Sequence, residues 1–594
     1  MERAHIHMNG ASHDTHVAPL PKYSWFDEQG RNSLNQWGLD YNIRLNYERK
    51  SFSSIKRRIT ASFFFSAQGL MDLGLGRVQA LLRRVGSPHV RFPVIHVAGT
   101  NGKGSTTAYL DAFLTHAVGI RSARFNSPHL ITARDSVRIN GGEPIDELTW
   151  NMAVRQTCLA DARDVPIGAT PFELLTVQAL LAFTLLPKSK QPDVLLMEVG
   201  VGGRLDATNV FPDDHVLASV ICPVARDHET ILGNSLSDIA REKAGIIKPH
   251  GLCVIADQAP VSYCDDTQDS SSDSMPADLA SSDILRVLHE ICCMKQARVV
   301  YSRVASSSIS SSRQTEPHVF EAPIELHVPL YGAHDACASE DFYAHREPEA
   351  HVSVPLEATV ARISGASTAL QTLWSVAHDT PSGQTIVSDA WHQLRAQIRT
   401  HLFESHPDVS KMAIACAARQ YRWEGRCEWK SLLDSSGTSI PVLLDGAHNQ
   451  ASALALRKYI DLCIANSNMA SLTITWILGF SNGKDVKGML YALVKGQKRV
   501  SHRLLLVPFS TPVEGMPWIK PFAPDAIVPL VEDMRCNIEA VATCATLKEA
   551  LDSVTHAKQP TPLASPLRSS PQIVVVCGSL YLVSDYYRAM KSSQ

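Results

Sequence analysis

The sequence predicts an α/β protein of two domains, each organised around a mainly parallel sheet. Three observations predict it. Continuous apolar runs of strand length, at residues 94–98, 194–199 and 216–221, alternate with helical patterns, as strands covered on both faces of a parallel sheet do. The first run empties into a glycine-rich turn carrying one lysine, Val94-Ile-His-Val-Ala-Gly-Thr-Asn-Gly-Lys-Gly-Ser105, and then enters a helical pattern. A second strand and helix alternation starts near Tyr421, beyond a stretch rich in Ser, Asp and His.

At 594 residues the chain exceeds a single hydrophobic core. Residues 1–66 lack sustained periodicity and read as an N-terminal extension; 67–418 and 419–594 are the expected domains. The first helix is expected over 75–85, with Leu75, Val78, Leu81 and Leu82 on one face. After the strand at 94–98 a helix is expected from Ser105 to about Ala117. Leu174–Leu186 is the most apolar run, but Thr176 and Gln178 interrupt it and it falls far short of the roughly 20 residues of a membrane span, so it reads as a buried helix. Beyond Ile255 the periodicity breaks into polar sequence near 264–283, 305–315 and 333–360, read as solvated insertions. His334, His345 and His351 lie irregularly in the last of these and are assigned no chemistry. In the second domain, strands are expected at 442–444, 473–478, 503–507 and 573–577, with helices at about 451–466 and 486–494. A cleft between the domains is the natural place for a site.

A formal net charge of -3 gives no basic field for holding nucleic acid, so small-molecule partners are expected, without nucleic acid or membrane. The 13 cysteines include no C-x-x-C pair and suit reduced thiols in the cytoplasm. Residues 50–66, KSFSSIKRRITASFFFS, are basic, Ser-rich and free of acids, which makes a mitochondrial location the alternative.

The turn after the first strand has the chemistry of a nucleotide phosphate cradle. Backbone N–H groups of Gly99, Thr100, Asn101, Gly102, Lys103 and Gly104 are expected to point into it, the helix N-terminus adds positive dipole, Lys103 supplies a mobile charge, and Ser105 completes the expected nucleotide-binding turn. ATP is the expected guest. The standard G-x-x-x-x-G-K-[ST] spacing fails twice, because its first glycine falls at Val97 and the residue after Lys103 is Gly104. The hydroxyl that usually meets Mg²⁺ is therefore missing; either Ser105 substitutes or the metal takes its ligands elsewhere.

Further segments, in order, are MDLGLGRV (71–78), HVAGTNGKGS (96–105), FNSPHL (125–130), DSVRING (135–141), TPFELLT (170–176), MEVGVGGRLDATN (197–209), DHETILG (227–233), REKAGIIK (241–248), GRCEW (425–429), LLDGAHN (443–449), LGFSNGKD (478–485) and VCGSLYLV (576–583). Together they make the chain resemble the folylpolyglutamate synthase and dihydrofolate synthase family, relatives of the Mur ligases, over residues 70–590. The resemblance implies a Mur-ligase-like ATPase domain followed by a smaller Rossmann-like domain, a monomer, and ATP-dependent amide formation. A carboxylate takes the γ-phosphoryl group and the amine of L-glutamate attacks the acyl phosphate. The acceptor is 7,8-dihydropteroate in one branch and a reduced folate in the other.

The resemblance places metal ligands at Ser127, Glu198 and His228. Ser127 also precedes a proline and suits a turn, and His228 also suits a core histidine beside Asp227. Glu198 ends an apolar strand before three glycines, where α/β sheets bind ligands. Lys243 matches a lysine carbamylated in the family, which would become an anionic oxygen ligand; on a helix beside Glu242 it also suits an exposed ion pair. Arg426, Asp445 and His448 match ATP-binding positions, the first for phosphate oxygens, the second for ribose or adenine. Asp72, Thr170, Pro171, Phe172, Glu173, Leu205, Asp206 and Ala207 match pterin-binding elements, with Phe172 either stacking on the pterin or buried in the core. Asn101 and the stretch FNSPHLITARDSVRING favour dihydrofolate synthase over folylpolyglutamate synthase. One family feature fails: the asparagine of a G-x-H-Q-x-x-N-A segment aligns with Ala338 from the left or Gly365 from the right. Losing that nucleotide hydrogen bond costs about 0.5–1.5 kcal/mol, and it keeps a degenerate nucleotide-binding regulator as an alternative.

Overall fold

Alternation of side chains along each strand builds the core of this computed structural model. In β1 (Val94–Ala98), Ile95 and Val97 enter one cluster while Val94 enters the cluster on the opposite face. The next strands are β2 (Ser122–Phe125), β3 (Val137–Ile139), β4 (Glu143–Pro144), β5 (Val194–Glu198), β6 (Val216–Ile221), β7 (Leu252–Ile255) and β8 (Arg298–Tyr301). After β9 (Ser306–Ile309) and β10 (Pro323–Leu330), the two-residue β11 (His334–Asp335) closes a nine-stranded sheet of order β11-β8-β7-β6-β1-β5-β2-β3-β4. Every pairing from β8 through to β2 is parallel. β3, β4 and β11 add antiparallel edges. The helices Lys103–Ala112, Val360–His378 and Pro407–Arg419 cover one face, and Gly76–Arg84 and Pro171–Leu185 the other.

The structure describes residues 73–258, 277–303, 306–309, 323–338, 347–357, 360–379, 389–421, 423–465, 472–495, 500–511, 513, 519–532, 534, 536–555 and 572–592. The N-terminal extension, Asp72 and His345 lie outside them. Residues 71–594 pack as one compact unit holding both large sheets.

Parts of the expected insertions form strands. β12 (Ala350–Glu357) pairs antiparallel with β10 over eight residues, and β9 flanks β10 on its other side. Leu326, Val328 and Leu330 are fully buried in the core under the helix Val360–His378. The apolar alternation of β10 supplies that face, while the His and Glu content of β12 hides its strand character. The helix after β1 also ends earlier than expected: Lys103–Ala112 passes into a π-turn at Phe113–Val118.

The second large sheet runs β13 (Glu428–Leu433), β14 (Ser439–Leu444), β18 (Gln572–Cys577), β15 (Leu472–Leu478), β16 (Val500–Leu506) and β17 (Ile538–Thr543). It is parallel apart from β13 against β14. The chain passes between the large sheets through residues 420–427, between the helix Pro407–Arg419 and β13.

Candidate active site

The carboxyl ends of β1, β5 and β6 open onto one site, as expected for a parallel sheet. After β1, Gly99 sits at φ 143° with its Cα so close to Cys222 that a Cβ would lie 2.6 Å from the Cys222 Cβ, so only glycine fits. Gly102, at φ 87°, is the N-cap of the helix Lys103–Ala112. The amides of Thr100 and Asn101 both donate to the Pro223 carbonyl oxygen, at 2.9 and 3.2 Å. This corrects the expectation that all the loop amides face the turn; those of Lys103, Gly104 and Ser105 lie in the first helical turn, whose amides helix geometry leaves without an intrahelical acceptor. Lys103 donates to the Thr100 carbonyl oxygen at 3.2 Å and lies 3.8 Å from Glu198 Oε1.

Glu198 ends β5 and is 4% exposed. Burial pushes its carboxyl up, and Lys103, Asn126 and Arg426 pull it back. Asn126 Nδ2 donates to Glu198 Oε2 at 2.7 Å and lies 2.8 Å from Thr107 Oγ1, and the Ser127 amide also donates to the Glu198 carboxylate. Ser127 therefore stands beside Glu198. Lys243 is buried, not in an exposed ion pair, and its Nζ donates to the Gly99 carbonyl oxygen at 2.9 Å. Desolvation and the charge of Lys103 lower its ammonium to about 7.

His228 holds a left-handed backbone at φ 53° and its side chain is 39% exposed, which rules out a core histidine. Desolvation, offset in part by Asp227, lowers its imidazole to about 4, so it is neutral at pH 7. Asp227 is the centre of a cluster that the sequence reading missed. Lys484, from the loop after β15, reaches Asp227 Oδ1 at 2.5 Å, and His448 Nε2 lies 3.6 Å from Oδ2. Despite burial, these contacts hold the carboxyl well below the usual range. Asp227 and Lys484 both lie inside the segments DHETILG and LGFSNGKD, but their pairing joins two sheets and no local spacing reveals it.

The second sheet brings further groups to the same cleft. Asn449 Nδ2 donates to Asn101 Oδ1 at 3.1 Å, joining the loop after β14 to the phosphate loop. Arg426 donates to the Gly446 carbonyl oxygen at 3.3 Å and its charge is felt at Glu198. Asp445 is spent locally: the Cys427 amide donates to Oδ2 and the Ala447 amide to Oδ1, both at 2.8 Å. It shapes the loop that carries Arg426 and His448. His448 Nδ1 lies 2.9 Å from the Gly446 carbonyl oxygen.

The proposed pterin elements border the same strands. Thr170, Pro171 and Glu173 form the N-cap, first and third positions of the helix Pro171–Leu185, in a reciprocal capping box. Glu173 Oε2 also accepts from Arg77 Nε at 3.0 Å. Glu173 Oε1 is buried without a hydrogen-bond partner among the described residues. Phe172 is half-buried, with its ring 6.0 Å from that of Phe125 and packed over Gly200. Asp206, fully buried, accepts from the amides of Val201 and Thr208 at 2.9 and 3.0 Å and from the Thr208 hydroxyl at 2.5 Å. It fixes the turn after Glu198, with Leu205 beside it and Ala207 buried. Of the two positions aligned with the family asparagine, Gly365 is the one at the site: a Cβ there would lie 3.1 Å from Ser105 Cβ. Ala338 lies in the turn after β11, at the sheet edge. His334 is in β11 and His351 is exposed in β12, and among the described residues no three His, Cys, Asp or Glu side chains form a metal cluster. Among the described residues no helix is long and apolar enough to cross a membrane.

A family model described as the dihydrofolate synthetase C-terminal domain matches residues 428–589. The chain is 29% identical to the "Probable dihydrofolate synthetase" of Schizosaccharomyces pombe over 522 residues, covering 88% of this chain and 99% of the relative. It is 26% identical to the dihydrofolate synthetase of Saccharomyces cerevisiae over 527 residues, with the same two coverages. Among solved structures it is similar to Escherichia coli FolC in complex with DHPP and ADP, at a TM-score of 0.59 and 22% identity, covering 91% of this chain and 98% of that one. The chain is thus similar to dihydrofolate synthases over nearly its whole length, matches their C-terminal domain model over residues 428–589, and shares the fold of FolC.

Proposed function

We propose that this protein is a dihydrofolate synthase, an ATP-dependent ligase that joins L-glutamate to 7,8-dihydropteroate through an acyl phosphate. One observation carries the reading: a phosphate loop, a buried carboxylate at the end of the adjacent strand and a buried lysine with a near-neutral amine converge within one cleft that the second sheet also lines.

Transfer of the γ-phosphoryl group to a carboxylate brings like charges together, so the site must supply positive charge and fixed dipoles more than a nucleophile. Lys103 and the amides of Gly102 to Ser105 would hold the nucleotide phosphates, and Arg426, whose charge is felt at Glu198, would meet them from the other side of the cleft. A carboxylate oxygen on the p-aminobenzoate end of dihydropteroate then bonds to the γ-phosphorus as the bond to ADP breaks and ADP leaves. The free amine of L-glutamate attacks the resulting acyl carbon, the C–O bond to phosphate breaks, and the amine loses a proton.

The donor set fits Mg²⁺. Glu198 is a buried carboxylate that accepts from the Ser127 amide, and His228 is neutral, so a carboxylate, one imidazole and the hydroxyl of a neighbouring serine make up the candidate set. Glu198, Ser127 and His228 would hold the ion, with Lys243 adding an oxygen if carbamylated, and the ion would screen the phosphate charge. The amine of Lys243, lowered to about 7, is neutral enough at mildly alkaline pH to react with carbon dioxide. His448 and Lys484 hold Asp227 next to His228 and so orient the loop that presents it.

The near-complete coverage of two fungal proteins named as dihydrofolate synthetases supports dihydropteroate as the acceptor. Phosphate release from ATP with L-glutamate is expected with dihydropteroate and not with tetrahydrofolate. Turnover with tetrahydrofolate alone would assign folylpolyglutamate synthase instead. Gly365 in the asparagine position favours a second reading, a nucleotide-binding regulator, which silence with both acceptors would support.

A further inference from the structure

Gly104 is a glycine that its own backbone does not require. It lies in the first turn of the helix Lys103–Ala112 without a positive φ, a conformation open to any residue. Space requires it instead. A Cβ at Gly104 would lie 2.5 Å from Cζ2 and 2.9 Å from Cε2 of Trp423, in the connector between the two large sheets. The indole thus occupies the place where the usual phosphate loop carries its hydroxyl residue.

The seat under Trp423 is built. The Arg124 guanidinium stands 4.8 Å from the indole ring centre, within cation–π range. Arg124, on β2, is 1% exposed and pairs at 3.2 Å with Asp111, which is on the phosphate-loop helix itself. On either side of Trp423 the connector grips the same region. Tyr421 stacks on Tyr109 of that helix with ring centres 4.1 Å apart, and Glu424 lies 3.7 Å from Arg138 on β3. Three residues after Trp423, Arg426 extends toward Glu198.

We propose that Trp423 is a positioning residue for the ATP site. By filling the space over Gly104 it locks the connector in register with the phosphate loop, and so sets where Arg426 meets the nucleotide phosphates. The proposal rests on the ligase reading, but its first test does not need turnover. ADP affinity is measured by calorimetry without glutamate or pterin on full-length wild type, G104A, W423A and the double variant, with melting temperature as a check on folding. G104A should weaken ADP binding about tenfold or more, because the added Cβ displaces the indole or the loop. W423A should bind ADP within about threefold of wild type, and the double variant should recover to that level because the clash is gone. In phosphate release, W423A should lower kcat by about tenfold with a smaller change in the KM for ATP, since Arg426 loses its register. W423F, which keeps a ring over Gly104, should retain most of the kcat.

G104A binding ADP like wild type, or a double variant as weak as G104A, would overturn the clasp. So would W423A with an unchanged kcat. A wild type that binds ADP and shows the compensation, yet releases no phosphate with glutamate and either acceptor, would leave the clasp standing and refute the ligase reading.

Discussion

At the scale of single residues, the site depends on buried polar groups whose partners are few. Asn126 is the sharpest case, since its Nδ2 reaches both Glu198 and Thr107. Asn126→Leu removes a donor from a buried carboxylate, with an expected loss of about 1–3 kcal/mol in thermal unfolding and a fall in kcat larger than the loss of ADP affinity. Lys243 gives a pH test. Its folded ammonium is lowered from 10.5 to about 7, so between those values the unfolded chain binds more protons and stability contributed by this residue rises with pH. Relative to Lys243→Met, the wild type should therefore gain stability from about pH 7 to 10 in denaturant melts, and be at its greatest disadvantage below pH 7. If the neutral amine is the form that captures carbon dioxide, bicarbonate should stimulate protein prepared in carbon-dioxide-free buffer at pH 8 and have little effect at pH 6. Equal response at both values would contradict that role. The end of an apolar strand pointed to Glu198 and the family resemblance to Lys243, but the environment that tunes them comes from Asn126, Gly99 and Lys103 in three dimensions.

At the scale of elements, two predictions separate binding from architecture. Thr170 caps the helix Pro171–Leu185 with its hydroxyl accepting from the Glu173 amide at 3.3 Å. Thr170→Ala should cost about 1 kcal/mol of stability with little change in the KM for the pterin; a large KM effect at unchanged stability would restore a direct substrate contact. Lys484 and His448 join the loops after β15 and β14 to Asp227 after β6. Because the ion pair is partly exposed, Lys484→Met should cost about 1–3 kcal/mol, less than a fully buried pair. Asp227 has a depressed carboxyl, so its stabilisation is present above the ordinary carboxylate range near 4 and is lost as the pH falls below it. Wild type and Lys484→Met should accordingly converge in stability in acid. The central strands β1, β5 and β6 were legible because both faces are buried and their apolar runs are unbroken. The edges β3, β4 and β11 are two or three residues long and carry no pattern, and β12 resembles a polar loop because His and Glu alternate with its apolar residues.

At the scale of the whole molecule, three contacts unite the sheets: Asn449 with Asn101, Lys484 with Asp227, and Trp423 on Gly104. None has a sequence signature, since each pairs residues from distant elements, whereas the segments that hold them were recognisable one by one. The loop's departure from the usual lysine-then-hydroxyl pattern was visible in the sequence, but its cause, the indole of Trp423, was not. Arg588 adds to the union by donating to the Ile131 carbonyl oxygen at 3.1 Å, tying the last helix to the loop that carries Ser127.

The central claim is that this cleft activates a carboxylate by phosphorylation before glutamate adds. Dihydropteroate labelled with ¹⁸O in its carboxylate, turned over with ATP and L-glutamate, tests it directly. One ¹⁸O should appear in each inorganic phosphate released, because the oxygen that attacks the γ-phosphorus leaves with it. Turnover that yields dihydrofolate with unlabelled phosphate would contradict the acyl phosphate route.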